Sequence, residues 1–271
     1  MVHVVRSADS DAGGLFIAAV DRVCLSEEEE PERVVFDCEG VNLSRIGSLD
    51  LISVCFSPEE IFLVDVEGEP DRQVLKAVKE LFEDANVTKI IHDCRMDCDA
   101  LYHLHRIQLN NVHDTSCFHA EITGREDASL NDVLILNGIA QNHTRDKRIY
   151  KTNPTFWATR PLTEKMIEWA TADVDRLFDV AANQLDSISD MKKIRAIDKS
   201  NTNSSFTRDM DVEQGLTVKN IGWFIGKRGA NLRSLQRSTG TLIYQERPKN
   251  TWVIFYSTRD GLNSVKSSMS R

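Results

Sequence analysis

The sequence predicts an α/β body with a mixed sheet, followed by a small α+β appendage. Three observations carry this reading. Short apolar runs at Val34–Phe36, Leu49–Phe56 and Ile61–Val66 come first and then give way to segments of helical periodicity. The apolar pattern fades between Asp186 and Met210. A second pattern of strand, helix, helix, strand, strand, helix fills the remainder.

Taken in order, the first run stops at Asp37-Cys38-Glu39, as a buried strand does when it reaches the rim of a sheet. The second and third runs flank Ser57-Pro58-Glu59-Glu60, a turn composition, and predict a hairpin. From Asp71 to Phe82 the apolar stripe Val74, Leu75, Val78, Leu81 and Phe82 predicts an amphipathic helix. Thr88–His92 reads as a short buried strand and is followed by a helix from about Asp97 to His105. Ser129 is placed to cap a helix carrying Leu130, Val133, Leu134 and Leu136. Pro161 and Thr163 open what reads as one long helix through Leu185, with Met166, Ile167, Ala170, Val174, Leu177 and Val180 on its face. The body is therefore expected over 1–188, a linker containing Asn201-Thr-Asn-Ser-Ser over 189–210, and the appendage over 211–271. Within the appendage, strands are expected at 211–218, 241–245 and 252–256, and helices at 221–225, 231–238 and 261–269.

The 271 residues are 41% apolar and 28% charged, the balance of an ordinary globular protein. No apolar stretch approaches the length of a bilayer span, and the N-terminus lacks a secretory pattern, so no membrane partner is expected. The six cysteines lie in apolar or helical contexts and read as reduced thiols of an intracellular protein, cytoplasmic or nuclear. The net charge of −9 is unevenly spread. Residues 211–271 hold ten Lys/Arg against four Asp/Glu, which leaves 23 basic and 38 acidic residues in 1–210. A basic appendage on an acidic body suits a polyanion partner.

Asp37 and Glu39 alternate along a strand, so their carboxylates share one face. Two carboxylates so close repel unless a cation or proton sits between them, and a divalent metal is the natural third party. Two further motifs join this one. Asp37-x-Glu39, then Ile91-His92-Asp93-Cys94-Arg95-Met96-Asp97, then Trp169-Ala170-Thr171-Ala172-Asp173-Val174 resembles the three motifs of the DEDD 3′–5′ exonucleases. Phe156-Trp157-Ala158-Thr159-Arg160-Pro161-Leu162 is similar to the Trp-x-x-Arg-Pro-Leu segment of the RNase D-like branch. His92-Asp93-Cys94-Arg95 is similar to Egalitarian-type exonuclease domains. The resemblance covers about 1–188 and implies a ribonuclease H-like mixed sheet with flanking helices. It further implies that Asp37, Glu39, Asp97 and Asp173 ligate two Mg²⁺ or Mn²⁺ ions. Asp97 stands five residues after His92, as the second motif expects, with Asp93 and Asp99 to either side. The sequence departs from the family at the residue that orients the attacking water. Trp169 replaces the Tyr of one subgroup and Glu168 the His of the other, so these two are the candidates for that role.

Cys94, Cys98, His103 and His105 offer a rival zinc reading. The Cys-x₂-Cys knuckle is missing, and Met96, Ala100, Leu101 and Leu104 mark the start of a core helix, so buried thiols and a partly exposed His pair are expected.

In the appendage, Ile225-Gly226-Lys227-Arg228-Gly229 between two helices resembles the Ile-Gly-x-x-Gly signature of a type I KH domain. Gly226 and Gly229 allow close approach of a phosphate backbone, while Lys227, Arg228 and Arg233 supply positive charge. Such a loop clamps about four single-stranded nucleotides. Ile221, Ile225, Leu232 and Ile243 are groove or core residues, and the sequence does not separate the two roles. Together the resemblances imply a metal-dependent exonuclease on single-stranded RNA, with single-stranded DNA second, releasing nucleoside 5′-monophosphates. The alternative is a catalytically silent RNA-binding adaptor that keeps the fold.

Overall fold

A computed structural model describes residues 1–271 apart from 29, 127, 143, 144, 147, 247, 248 and 250, and without the side chains of Lys151 and Arg228. The chain divides into two compact units, Met1–Asp146 with Thr155–Ser205, and Lys147–Pro154 with Phe206–Arg271.

The first unit runs β1 (Val2–Val5), α1 (Asp11–Cys24), β2 (Arg33–Glu39), β3 (Leu51–Ser57), β4 (Glu60–Asp65), α2 (Arg72–Glu83), β5 (Thr88–Ile91), α3 (Arg95–His105), β6 (Val112–Asp114), α4 (Thr115–Thr123) and α5 (Leu130–Leu136). The short helix α6 (Ile149–Thr152) belongs to the second unit; α7 (Glu164–Ala172), α8 (Leu177–Ser187) and α9 (Asp190–Ser205) return to the first. The six strands form one mixed sheet in the order β1-β4-β3-β2-β5-β6. The β2-β3-β4 meander is antiparallel, and β1, β5 and β6 join it as parallel strands. The expected hairpin is β3–β4. Val34, Val35 and Phe36 are buried on both faces of β2, which is why this central strand shows a continuous apolar run and no alternation.

Helix α2 shows how a sequence pattern becomes packing. Asp71 caps it by accepting from Gln73 N and Val74 N, and Val74, Ala77, Val78, Leu81 and Phe82 go into the core. Phe82 meets Phe36 of β2 at a ring-centroid distance of 4.5 Å. Each large apolar side chain so buried contributes about 1.5–3 kcal/mol.

Two expectations are corrected. The long helix through Leu185 is two helices, because the backbone tightens at residues 173–176, where Val174 N bonds to Thr171 O. Asp, a β-branched Val and a second Asp follow one another there, all weak helix formers. The expected linker is mostly helix α9, docked on α4 and β6. Polar contacts hold it: Ser200 Oγ accepts from Asp114 N at 3.2 Å, and Arg195 and Lys199 pair with Glu121 and Glu126. A helix anchored by polar groups gives no apolar stripe to read.

The second unit continues with β7 (Asp211–Leu216), α10 (Ile221–Ile225), α11 (Ala230–Thr239), β8 (Leu242–Glu246), β9 (Thr251–Tyr256) and α12 (Arg259–Met269). Its sheet is antiparallel in the order β7-β9-β8. Phe224, Ile243, Trp252, Ile254, Leu262, Val265 and Met269 form its core, with Ile225 and Leu232 packed against it and Ile221 exposed. All six cysteines are free thiols, and no helix among the described residues is long and apolar enough to cross a membrane.

Candidate active site and nucleic-acid interface

The acidic site is assembled from three elements and one connecting segment. Strand β2, fixed between β3 and β5, ends with Asp37 and Glu39 on one face. Helix α3 follows β5 through a turn organised by Asp114, whose buried carboxylate accepts from Asp93 N at 2.9 Å, Cys94 N at 3.2 Å and Ser116 N at 2.9 Å. That turn sets the first turn of α3, from which Asp97 accepts a hydrogen bond from Cys38 N at 3.1 Å. The neighbouring acids face elsewhere: Asp93 pairs with Arg95, and buried Asp99 holds Arg45 through Nε at 3.0 Å and Nη2 at 2.7 Å. Asp173 sits at the C-cap of α7, where the helix breaks.

The metal-ligating atoms of Asp37, Glu39 and Asp173 lie within 4.8 Å of one another, the only such group of three or more among the described residues. Cys94 and Cys98 are buried thiols outside it, their surroundings those of the core. Charge crowding here is severe. Burial, followed by the fields of Glu39, Asp97 and Asp173, holds the Asp37 carboxyl well above the usual carboxylate range. Burial likewise pushes Glu39 up to about 8 against the opposing pull of Arg145, and Asp97 up to about 7. Asp114 is the contrast. Burial also raises it, yet the hydrogen bonds from Ser116, Asp93 and Cys94 bring it below its ordinary value.

Arg145 and Asn142, which no sequence motif singles out, complete the cluster. Arg145 Nη2 lies 2.7 Å from Glu39 Oε1 and 2.8 Å from Oε2, while Nη1 pairs with Asp173. Only the contact to Oε2 has hydrogen-bond geometry, so Glu39 Oε1 is a buried carboxylate oxygen without a hydrogen bond. Asn142 Nδ2 donates to Asp173 Oδ1 at 3.0 Å. Carboxylates clustered within 4.8 Å of one another are the hard donor set that suits Mg²⁺ or Mn²⁺.

Glu168 is not one of these metal-ligating side chains. Trp169 lies one turn before Asp173 on α7 but is fully buried, its ring 5.3 Å from that of Phe156. An indole can donate a hydrogen bond but cannot accept a proton, so at this position it is not equivalent to a phenol. Glu168 is exposed and lines a cavity of about 690 Å³ with Asn142, Glu164, Thr171 and Asp175.

In the second unit the glycine turn is local. Gly226 has φ 71° and ψ 177°, a conformation closed to other residues, and Gly229 has φ 80°. A Cβ on Gly226 would fall 2.6 Å from Asn231 Cγ, whose amide donates to Trp223 O at 2.6 Å. A Cβ on Gly229 would fall 2.6 Å from Arg233 Nη1, so that guanidinium packs directly over the turn. Lys227 is exposed, and the Arg228 side chain lies outside the described residues.

Comparison with known proteins places this geometry. The pattern of the 3′–5′ exonuclease family matches residues 18–187. The chain is 28% identical to mouse piRNA biogenesis protein EXD1 over 203 residues, covering 62% of this chain and 35% of the relative. It is 34% identical to Ribonuclease D of Nitrobacter hamburgensis over 139 residues, covering 51% of this chain and 33% of the relative. The crystal structure of Escherichia coli RNase D superposes with a TM-score of 0.57 at 20% identity, over 77% of this chain and 54% of that one. The chain spans about a third of the length of the curated relatives it matches.

Proposed function

The chain belongs to the 3′–5′ exonuclease family, and on that premise we propose that it is a divalent-metal-dependent exonuclease that shortens single-stranded RNA from its 3′ end. Nucleoside 5′-monophosphates are the product, and single-stranded DNA is the second candidate substrate. The observation that carries the reading is the convergence of Asp37, Glu39 and Asp173 within 4.8 Å, with Asp97 tied to the same strand end. Held by these four carboxylates, two Mg²⁺ or Mn²⁺ ions would supply an activated water and stabilise the leaving 3′ oxygen. The chain itself supplies orientation. Cys38 N fixes Asp97, and Asn142 fixes Asp173, so these ligands are set before substrate arrives.

The second unit is read as a type I KH domain. Its strand-helix-helix-strand-strand-helix order, the Gly226–Gly229 turn between helices, and exposed Lys227 support a phosphate-gripping role. Arg228 and Arg233 are assigned to the same role.

A second reading, a silent RNA-binding adaptor, is favoured by one observation: the position of the family's water-orienting Tyr holds a fully buried Trp169, whose indole cannot accept a proton. Loss of one positioned acid–base group slows catalysis by about 10²–10⁴-fold. The test uses a 5′-labelled single-stranded RNA of about 20 nucleotides with Mn²⁺. A 3′-shortening ladder that Asp37→Ala removes is the expected result. Intact RNA in every lane, with binding retained, makes the adaptor the better account.

A further inference from the structure

We infer that Arg145 is a built-in cation that occupies the divalent-metal position between Glu39 and Asp173, so that metal loading requires its guanidinium to withdraw. This rests on the reading of the carboxylate cluster as a metal site. The contacts are made on the ligand atoms themselves. Nη2 reaches both Glu39 oxygens at 2.7 and 2.8 Å, and Nη1 pairs with Asp173. A hard divalent ion binds such oxygens at about 2.0–2.2 Å and cannot share that space with a fork-shaped guanidinium.

The surrounding contacts divide the segment into a fixed part and a movable arm. Asn142 is tied to α5 on both sides of its backbone: its N–H donates to Asn131 Oδ1 at 2.8 Å, and its carbonyl accepts from Asn131 Nδ2 at 3.1 Å. Its side chain holds Asp173 Oδ1 at 3.0 Å, so Asp173 stays oriented when the arginine leaves. Arg145 is the arm. Its guanidinium carbon rests 5.7 Å from the ring centroid of buried Trp157, an aromatic seat within reach of the cluster. An internal cation neutralises part of the crowded charge, and it makes metal affinity depend on how readily the arm withdraws.

The test is a calorimetric Mn²⁺ titration of the full chain as wild type, Arg145→Gln, Arg145→Lys, and an Asp37→Asn/Asp173→Asn control, with thermal unfolding of each in EDTA and in saturating Mn²⁺. The expected result is Mn²⁺ binding by Arg145→Gln at least about tenfold tighter than wild type, with Arg145→Lys between them. Arg145→Gln should also unfold at lower temperature than wild type in EDTA and gain more from Mn²⁺. Equal affinity in wild type and both Arg145 variants overturns the competition while the metal site stands. Weaker binding in both variants also overturns it, since the arginine would then assist the ion. Mn²⁺ binding by none of the proteins, control included, overturns the metal site and the competition together. Arg145→Lys keeps the comparison open should Arg145→Gln fail to fold.

Discussion

The carboxylate cluster draws on positions 37, 39, 97, 142, 145 and 173, whereas the glycine turn of the second unit is complete within residues 221–233. The first is long-range and buried, and burial together with neighbouring carboxylates raises the pKa of Asp37, Glu39 and Asp97. The second is local and exposed, and its shape comes from two positive-φ glycines. The difference is one of physics. Charges taken from water must be compensated by partners fixed by the whole fold, while an exposed phosphate clamp needs only backbone shape and a few cations. Each region should therefore fail in its own way.

The largest effect expected is chemical. Asp173→Ala should reduce 3′ shortening of RNA by at least about 10²-fold, since it removes both a proposed metal ligand and the partner of Arg145 and Asn142. RNA affinity, measured by fluorescence anisotropy, should stay close to wild type. A parallel loss of affinity would merge the two regions into one. The converse change is Lys227→Asp with Arg228→Asp, which should weaken single-stranded RNA binding by about tenfold or more and flatten its salt dependence. Stabilisation of the first unit by Mn²⁺, followed by hydrogen exchange in β2, should not change.

A smaller effect is conformational. Gly226→Ala must adopt φ 71° and ψ 177° and place its Cβ 2.6 Å from Asn231. It should destabilise the second unit by about 1–3 kcal/mol, read as faster hydrogen exchange in β9, with β2 unaffected. The smallest effect is the pH dependence of the metal-free first unit. Burial and mutual repulsion keep Asp37 and Glu39 protonated to higher pH in the folded chain than in the unfolded one, Glu39 to about 8. Between the ordinary carboxylate range and about pH 8 the folded state thus binds more protons. Stability in EDTA should fall as pH rises through that window, and Mn²⁺ should flatten the fall. Thermal unfolding across the window checks it; a rise with pH in EDTA would mean that the carboxylates are compensated by something other than protons and Arg145.

What was legible in the sequence follows the same division. The hairpin β3–β4, helix α2 and nearly every element of the second unit announce themselves through local pattern. Strand β1 and helix α1 do not, since β1 is a four-residue edge strand and α1 carries Gly13 and Gly14 in its first turn. Segments β6 and α4 bury His113, Asp114, Thr115 and His119 among Val112, Cys117 and Phe118, so polar residues interrupt the apolar pattern of their core face. In the site, strand alternation and motif spacing singled out the four acids. Arg145 and Asn142 lie in a polar stretch with no motif, and only the folded chain reveals that they meet Glu39 and Asp173. The spacing that sets Trp169 one turn before Asp173 carries no information on its depth, because Trp169 packs in the core against Phe156, thirteen residues earlier in the chain.

The central claim is that the four acids form a divalent-metal site. Anomalous diffraction at the manganese edge from Mn²⁺-soaked crystals of the full chain tests it most directly. Manganese peaks are expected at about 2.0–2.2 Å from carboxylate oxygens of Asp37, Glu39 and Asp173, with the Arg145 guanidinium displaced. Peaks elsewhere, or an empty cluster with Arg145 still between Glu39 and Asp173 at saturating Mn²⁺, would contradict it.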